Sequence, residues 1–176
     1  MSEPRVLYHC APIMIGLGSI ILPGNWGRVL STHSYRHHHF QREMMFEFVR
    51  QREVPEAPSR LQCIFAFASL DEAQQYIAVE DAKAQLVYEC EQIDPSAKTW
   101  IAPLNAFSMR ASEAVMAEQY WQHSRPIAES SGASTNFMGM GRVAYEVMTM
   151  SALLVTGGPF IGWTEMRPHD ADKLAL

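Results

Sequence analysis

Leu61-Gln62-Cys63-Ile64-Phe65-Ala66-Phe67 is dense in apolar and aromatic residues and is followed at once by Ser69-Leu70-Asp71-Glu72. A run of that kind fits a pleated, covered surface and predicts a buried strand. Serine at the N-cap with a carboxylate three residues on satisfies the open N–H groups of a first helical turn, which predicts a helix through about Ala78. A strand passing directly into a capped helix requires a sheet with a helix laid against it, and the other segments have to fit that frame.

Val6-Leu7-Tyr8-His9-Cys10 reads as a first strand ending in a loop, and Ile20-Ile21-Leu22 leads into the turn signal Pro23-Gly24-Asn25-Trp26-Gly27, with Trp26 riding on the turn. From Gln41 to Arg52, Met44, Met45, Phe48 and Val49 recur at helical spacing with Glu43, Glu47 and Arg50 on other faces, an amphipathic helix limited by Pro55. Gln85 to Cys90 alternates as a strand, Ala111 to His123 is helical in pattern, Ser130 to Gly141 reads as loop, and Val143 to Val155 reads as one or two strands. Strands and three helices without regular βαβ alternation argue for the α+β class rather than a doubly wound sheet. The length suits one domain over residues 1–176.

A hydrophobic fraction of 48% with 19% charged residues is that of a globular chain. The net charge of −5 gives no global field for attracting nucleic acid, and Arg28 through Arg36, His37, His38, His39 and Arg42 is the one stretch where positive charge gathers. Cys10, Cys63 and Cys90 show no CxxC spacing and no disulfide framework; they read as small buried hydrophobes in a reducing compartment. The apolar stretch Ala11 to Pro23 is broken by Pro12, Gly16 and Gly18, so no membrane span is expected. With no signal sequence visible, a cytoplasmic protein is expected, and an effector delivered by a secretion machine stays open. The adjacent His37-His38-His39 do not share a helix face and have no acidic or cysteine ligand at metal spacing, so no metal is expected. The segment from His33 to His39 reads as a solvated surface or as a loop beside a pocket.

The order of short motifs resembles the ADP-ribosyltransferase superfamily, which includes bacterial toxin-like members and the poly(ADP-ribose) polymerases. Tyr8-His9 at the end of the first strand is similar to its first motif, where a histidine hydrogen-bonds a ribose of NAD+. The strand Cys63 to Phe67, with Ser69 and the helix carrying Tyr76, is similar to the second, which forms the nicotinamide pocket. Ala144-Tyr145-Glu146-Val147-Met148 resembles the third, a glutamate at the start of a late strand. Phe46-Glu47-Phe48-Val49-Arg50, Pro58-Ser59-Arg60-Leu61 and Ile64-Phe65-Ala66-Phe67 also look like a bacterial branch of these domains.

The resemblance implies a split mixed β-sheet with flanking helices. It also implies an NAD+-dependent transferase in which Glu146 is catalytic, His9 and Tyr8 hold the ribose side, and Phe65, Phe67 and Tyr76 line the nicotinamide side. NAD+ would be the substrate and a macromolecule, protein or nucleic acid, the acceptor. An NAD+ glycohydrolase and a non-catalytic nucleotide- or protein-binding domain are the alternatives. Glu118, in Ala117-Glu118-Gln119-Tyr120-Trp121, is the rival carboxylate. His9 read alone suits a structural role, and Phe65 and Phe67, on one face of their strand, suit core packing. Ser/His/Asp, P-loop and GxGxxG patterns are missing, which leaves hydrolase, NTPase and Rossmann dehydrogenase readings without support.

Overall fold

The computed structural model describes residues 5–79, 85–127 and 145–160. Along them lie the strands β1 (Val6–Ala11), β2 (Ile20–Ile21), β3 (Ile64–Ala66), β4 (Leu86–Gln92), β5 (Thr99–Pro103), β6 (Arg125–Pro126), β7 (Tyr145–Thr149) and β8 (Leu153–Phe160). The α-helices are α1 (Asn25–His33), α2 (Phe40–Glu53), α3 (Leu70–Val79) and α4 (Glu113–Gln122), with short 3-10 turns at Ser34–Arg36 and Leu104–Ser108. The class is α+β. The loop expected over Ser130 to Gly141 lies outside the described residues.

Two four-stranded sheets form, in the orders β1-β4-β8-β2 and β3-β7-β5-β6. The expected split is present, but every pairing between described strands is antiparallel, where a mixed sheet was expected. A parallel neighbour needs a crossover returning the chain to the same sheet. Here the chain changes sheet four times among the described strands, from β2 to β3, β3 to β4, β4 to β5 and β7 to β8, and each returning strand lies antiparallel to its neighbours. The sheets meet through the backbones of Tyr8 and Phe67, each N–H donating to the other's carbonyl at 2.9 and 2.8 Å.

Alternation decides what each strand face covers. Leu7 and Ala11 of β1, with Tyr88, Cys90, Leu153 and Val155, pack against Ile64, Ala66, Ile101 and Val147, so the sheets bury one face each against the other. Across β3, β5 and β7, Met148, Trp100 and Ala102 pack on Phe46 and Val49 of α2 and on Ala117, Tyr120 and Trp121 of α4. Tyr8, Cys10 and Val87 face the other way and are covered by Ala73 and Ile77 of α3. All five residues of β5 are buried. A strand covered on both faces shows no period-2 signal, and this one escapes a reading by pattern.

The capped helix is found where expected: the Ser69 hydroxyl accepts from the Glu72 N–H at 3.2 Å at the start of α3. Three other expectations need correction. The buried strand is shorter than Leu61 to Phe67, because Leu61 to Cys63 form a turn whose N–H groups at Gln62 and Cys63 donate to the Ser59 carbonyl. Pro23 and Gly24 do turn the chain, with Gly24 at φ 84°, but Asn25 to Gly27 open α1 rather than continue the turn. A Cβ on Gly27 would overlap the Leu61 carbonyl, so the helix approaches that turn by lacking a side chain there. In α2 the apolar face is rotated from the expected one: Phe48 is 58% exposed, while Glu43 is completely buried alongside Phe46 and Val49. No helix among the described residues is long and apolar enough to cross a membrane.

Candidate functional site

Glu43 is buried because Arg60 comes to it. The turn before β3 carries the Arg60 guanidinium inward, where Nε donates to Glu43 Oε2 at 2.8 Å and Nη1 donates to Tyr120 Oη at 2.6 Å and to Glu146 Oε1. The Tyr120 hydroxyl donates to the same Glu146 oxygen, and Arg42 Nη2 reaches Glu43 Oε1 at 3.0 Å. α2, the 58–62 turn, α4 and β7 thus meet in one network of two arginines, two glutamates and a tyrosine. Rings enclose it: the Arg60 Cζ lies 4.5 Å from the Phe65 ring centroid and 5.0 Å from those of Phe107 and Tyr120.

Taking these charges out of water is costly, and mutual pairing offsets the cost. Burial alone pushes the Glu43 carboxyl up, but the Arg60 and Arg42 guanidiniums outweigh it and hold the group below its ordinary 4.5. Burial disfavours the Arg60 charge, yet Glu146 and Glu43 together raise its pKa well above the ordinary value. Burial raises Tyr120 well above the usual phenol, so it keeps the proton it donates. Both contacts to Glu146 use Oε1; among the described residues Oε2 accepts no hydrogen bond.

Glu146 and Arg60 form part of the wall of a cleft of about 470 Å³, a size usual for small-molecule sites. His9, Phe65, Phe67 and Tyr76 line the same cleft, so β1, β3, the strand-to-helix connection, α3 and β7 contribute side chains to one space. Two short links align them. His9 Nδ1 donates to the Phe65 carbonyl at 2.8 Å, and the Phe67 and Tyr76 rings lie 5.1 Å apart. Burial lowers the His9 pKa, so the ring is neutral at pH 7 with its proton on Nδ1 and an acceptor lone pair on Nε2.

Tyr8 does not join them. Alternation turns it away from His9, its ring packs with the α3 cluster, and its hydroxyl meets Glu89 Oε2 at 3.4 Å. Glu118 is exposed on α4, pairs with Arg52 at 3.2 Å and lies in a separate groove with Trp100 and Arg125. Of Glu146 and Glu118, Glu146 is the one that lines the cleft, where Glu43 stands as a second carboxylate. Cys10 lines the cleft too, but burial pushes its thiol up to about 12, and burial likewise raises Cys63 and Cys90, so none is a thiolate at neutral pH. Among the described residues no group of three or more His, Cys, Asp and Glu side chains is gathered to hold a metal.

Arg60, Glu43, Arg42, Tyr120 and Trp26 belong to this site and were not read from the sequence as its members, whereas His39 comes from the segment read as a surface or as a loop beside a pocket. Glu43 carried a signal in retrospect, since it shares the i, i+3 face with Phe46. Tyr120 had none, because a tyrosine on a helix packs without needing a charged partner.

A search among curated proteins found no match. A family model described as "Protein of unknown function (DUF2441)" matches residues 25–131, which span α1 through α4 and include Glu43, Arg60, Phe65, Phe67, Tyr76 and Tyr120, and the chain belongs to that family.

Proposed function

We propose that the cleft binds NAD+ and that the protein is an NAD+-dependent ADP-ribosyltransferase, a divergent member of the superfamily its motif order resembles. One observation carries this reading: His9, Phe65, Phe67, Tyr76 and Glu146, drawn from all three motif-like segments, line a single cleft. In this reading Phe67 and Tyr76 hold the flat nicotinamide, and His9 Nε2 accepts from a ribose hydroxyl. Glu146 accepts a second ribose hydroxyl through Oε2 and stabilises the positive charge that develops on the ribose ring. The bond from ribose to nicotinamide breaks with its electron pair going to nicotinamide. The acceptor then forms a new bond to the same carbon and loses a proton. Arg60 and Tyr120 are positioning residues that hold Oε1.

A second reading, binding without turnover, is favoured by the Arg60 pairing, which offsets the charge Glu146 would bring to the transition state. Labelled NAD+ incubated with the protein and a cell extract separates them. Release of nicotinamide with label transferred, both lowered about a hundredfold to a thousandfold in Glu146→Gln, is the expected result. Free ADP-ribose without labelled acceptor would indicate a glycohydrolase. Thermal stabilisation by NAD+ with no turnover would select the binding domain, and equal turnover by the Gln variant would remove Glu146 from the chemistry.

A further inference from the structure

From Arg5 to Arg42 the chain carries four arginines and five of its seven histidines and not one Asp or Glu, although its net charge is −5. Folding leaves part of this span at the surface. α1 and the Ser34–Arg36 turn present Arg28, His33, Arg36 and His38 to solvent, and Tyr35 is 75% exposed. Arg42, Arg50, Arg52 and Arg60 each pair with a carboxylate, whereas Arg28 and Arg36 make no ion pair among the described residues.

Rings are as concentrated here as charge. His37 stacks on His38 at 4.8 Å with 15° between planes, His38 and His39 have centroids 3.8 Å apart, and Trp26 meets the His37 ring edge to face at 5.2 Å. Trp26 and His39 also line the cleft, so this ring cluster borders its mouth.

We infer that this exposed segment docks single-stranded nucleic acid, with bases laid on the Tyr35 and His38 rings and phosphates met by Arg28 and Arg36. Unpaired cations interleaved with exposed flat rings are what a strand with splayed bases requires. A duplex hides the faces of its bases and would use only the arginines. An acidic peptide would likewise leave the rings without a role. The charge asymmetry confines the contact to this segment, because the acidic remainder of the chain repels phosphate.

The test is fluorescence polarisation of the full chain with labelled single-stranded DNA and RNA of about 12 nucleotides, at low salt. NAD+ is omitted, so the outcome does not depend on the reading above. Binding tighter than about 100 µM, falling as salt rises, is expected for a single strand and about fivefold or more weaker for the matching duplex. Arg28→Glu with Arg36→Glu should weaken it by about tenfold or more, and Tyr35→Ala with His38→Ala by about fivefold. If the charge reversal fails to fold, Arg28→Gln with Arg36→Gln takes its place, with Tm checked against the parent. No binding below about 100 µM, equal affinity in both sets of variants, or tighter binding of duplex, phosphopeptide or phosphatidylserine vesicles would overturn the proposal.

Discussion

Arg60 is only 5% exposed, yet it holds a full charge, and it does so because four oxygens from three elements receive its N–H groups. Its removal has a cost beyond the lost contacts, since Glu146 would stay buried without a counter-charge and Glu43 would keep only Arg42. Arg60→Ala is expected to cost about 3–5 kcal/mol by urea denaturation. Replacing Arg60, Glu43 and Glu146 together by apolar residues of similar volume should recover most of that loss. A single variant as stable as the parent would show that water enters and solvates the carboxylates. None of this network is visible in the sequence. Arg60 follows Pro58-Ser59 in what reads as a turn, and its partners stand 17, 60 and 86 positions away, where only folding brings them together. His9, Phe65, Phe67 and Glu146 are different, because each stands in a strand-like run whose order along the chain could be read without knowing what it faces.

At the scale of elements, local chemistry predicts well where it acts over one turn. Ser69 caps α3 because its hydroxyl reaches the Glu72 N–H within the same four residues. α1 fails this kind of reading, since Pro23, Gly24 and Gly27 signal a turn, and a mid-helix glycine costs about 1 kcal/mol relative to alanine. Tertiary contact reverses that local preference: Gly27 lets α1 seat against the Leu61 backbone, which carries Trp26 to the cleft. Gly27→Ala is therefore expected to destabilise despite its better helix propensity, and to increase cleavage in α1 by limited proteolysis. A stability gain of the size propensity alone gives would mean that α1 does not need this close approach.

For the whole molecule, the buried titratable groups act together on acid stability. Burial holds His9 below its ordinary 6.5, so the unfolded chain binds a proton there before the folded protein does, and stability falls as pH drops below 6.5. His39, lowered by burial to about 4 and further disfavoured by Arg42, acts in the same direction from 6.5 down to about 4. Glu43, held below 4.5, contributes stability that is present above 4.5 and lost as pH falls through its lower folded value. The melting temperature should thus decline on acidification below about 6.5, and His9→Gln should lessen but not remove the slope between about 6.5 and 4.5, where His39 still contributes. An unchanged slope in that variant would mean that His9 is solvated in the folded state.

The amino-acid sequence alone determined the α+β class and the capped helix after a buried strand, because alternation, helical period and capping act between near neighbours, while His9, Phe65, Phe67 and Glu146 were singled out by the resemblance of the motif order. Only tertiary structure decided the antiparallel directions of both sheets, the helical start at Asn25, the inward turn of Glu43 and the meeting of Glu146 with Arg60. Each of those depends on a partner far along the chain, and a charge buried in this cleft is stable only once that partner has arrived.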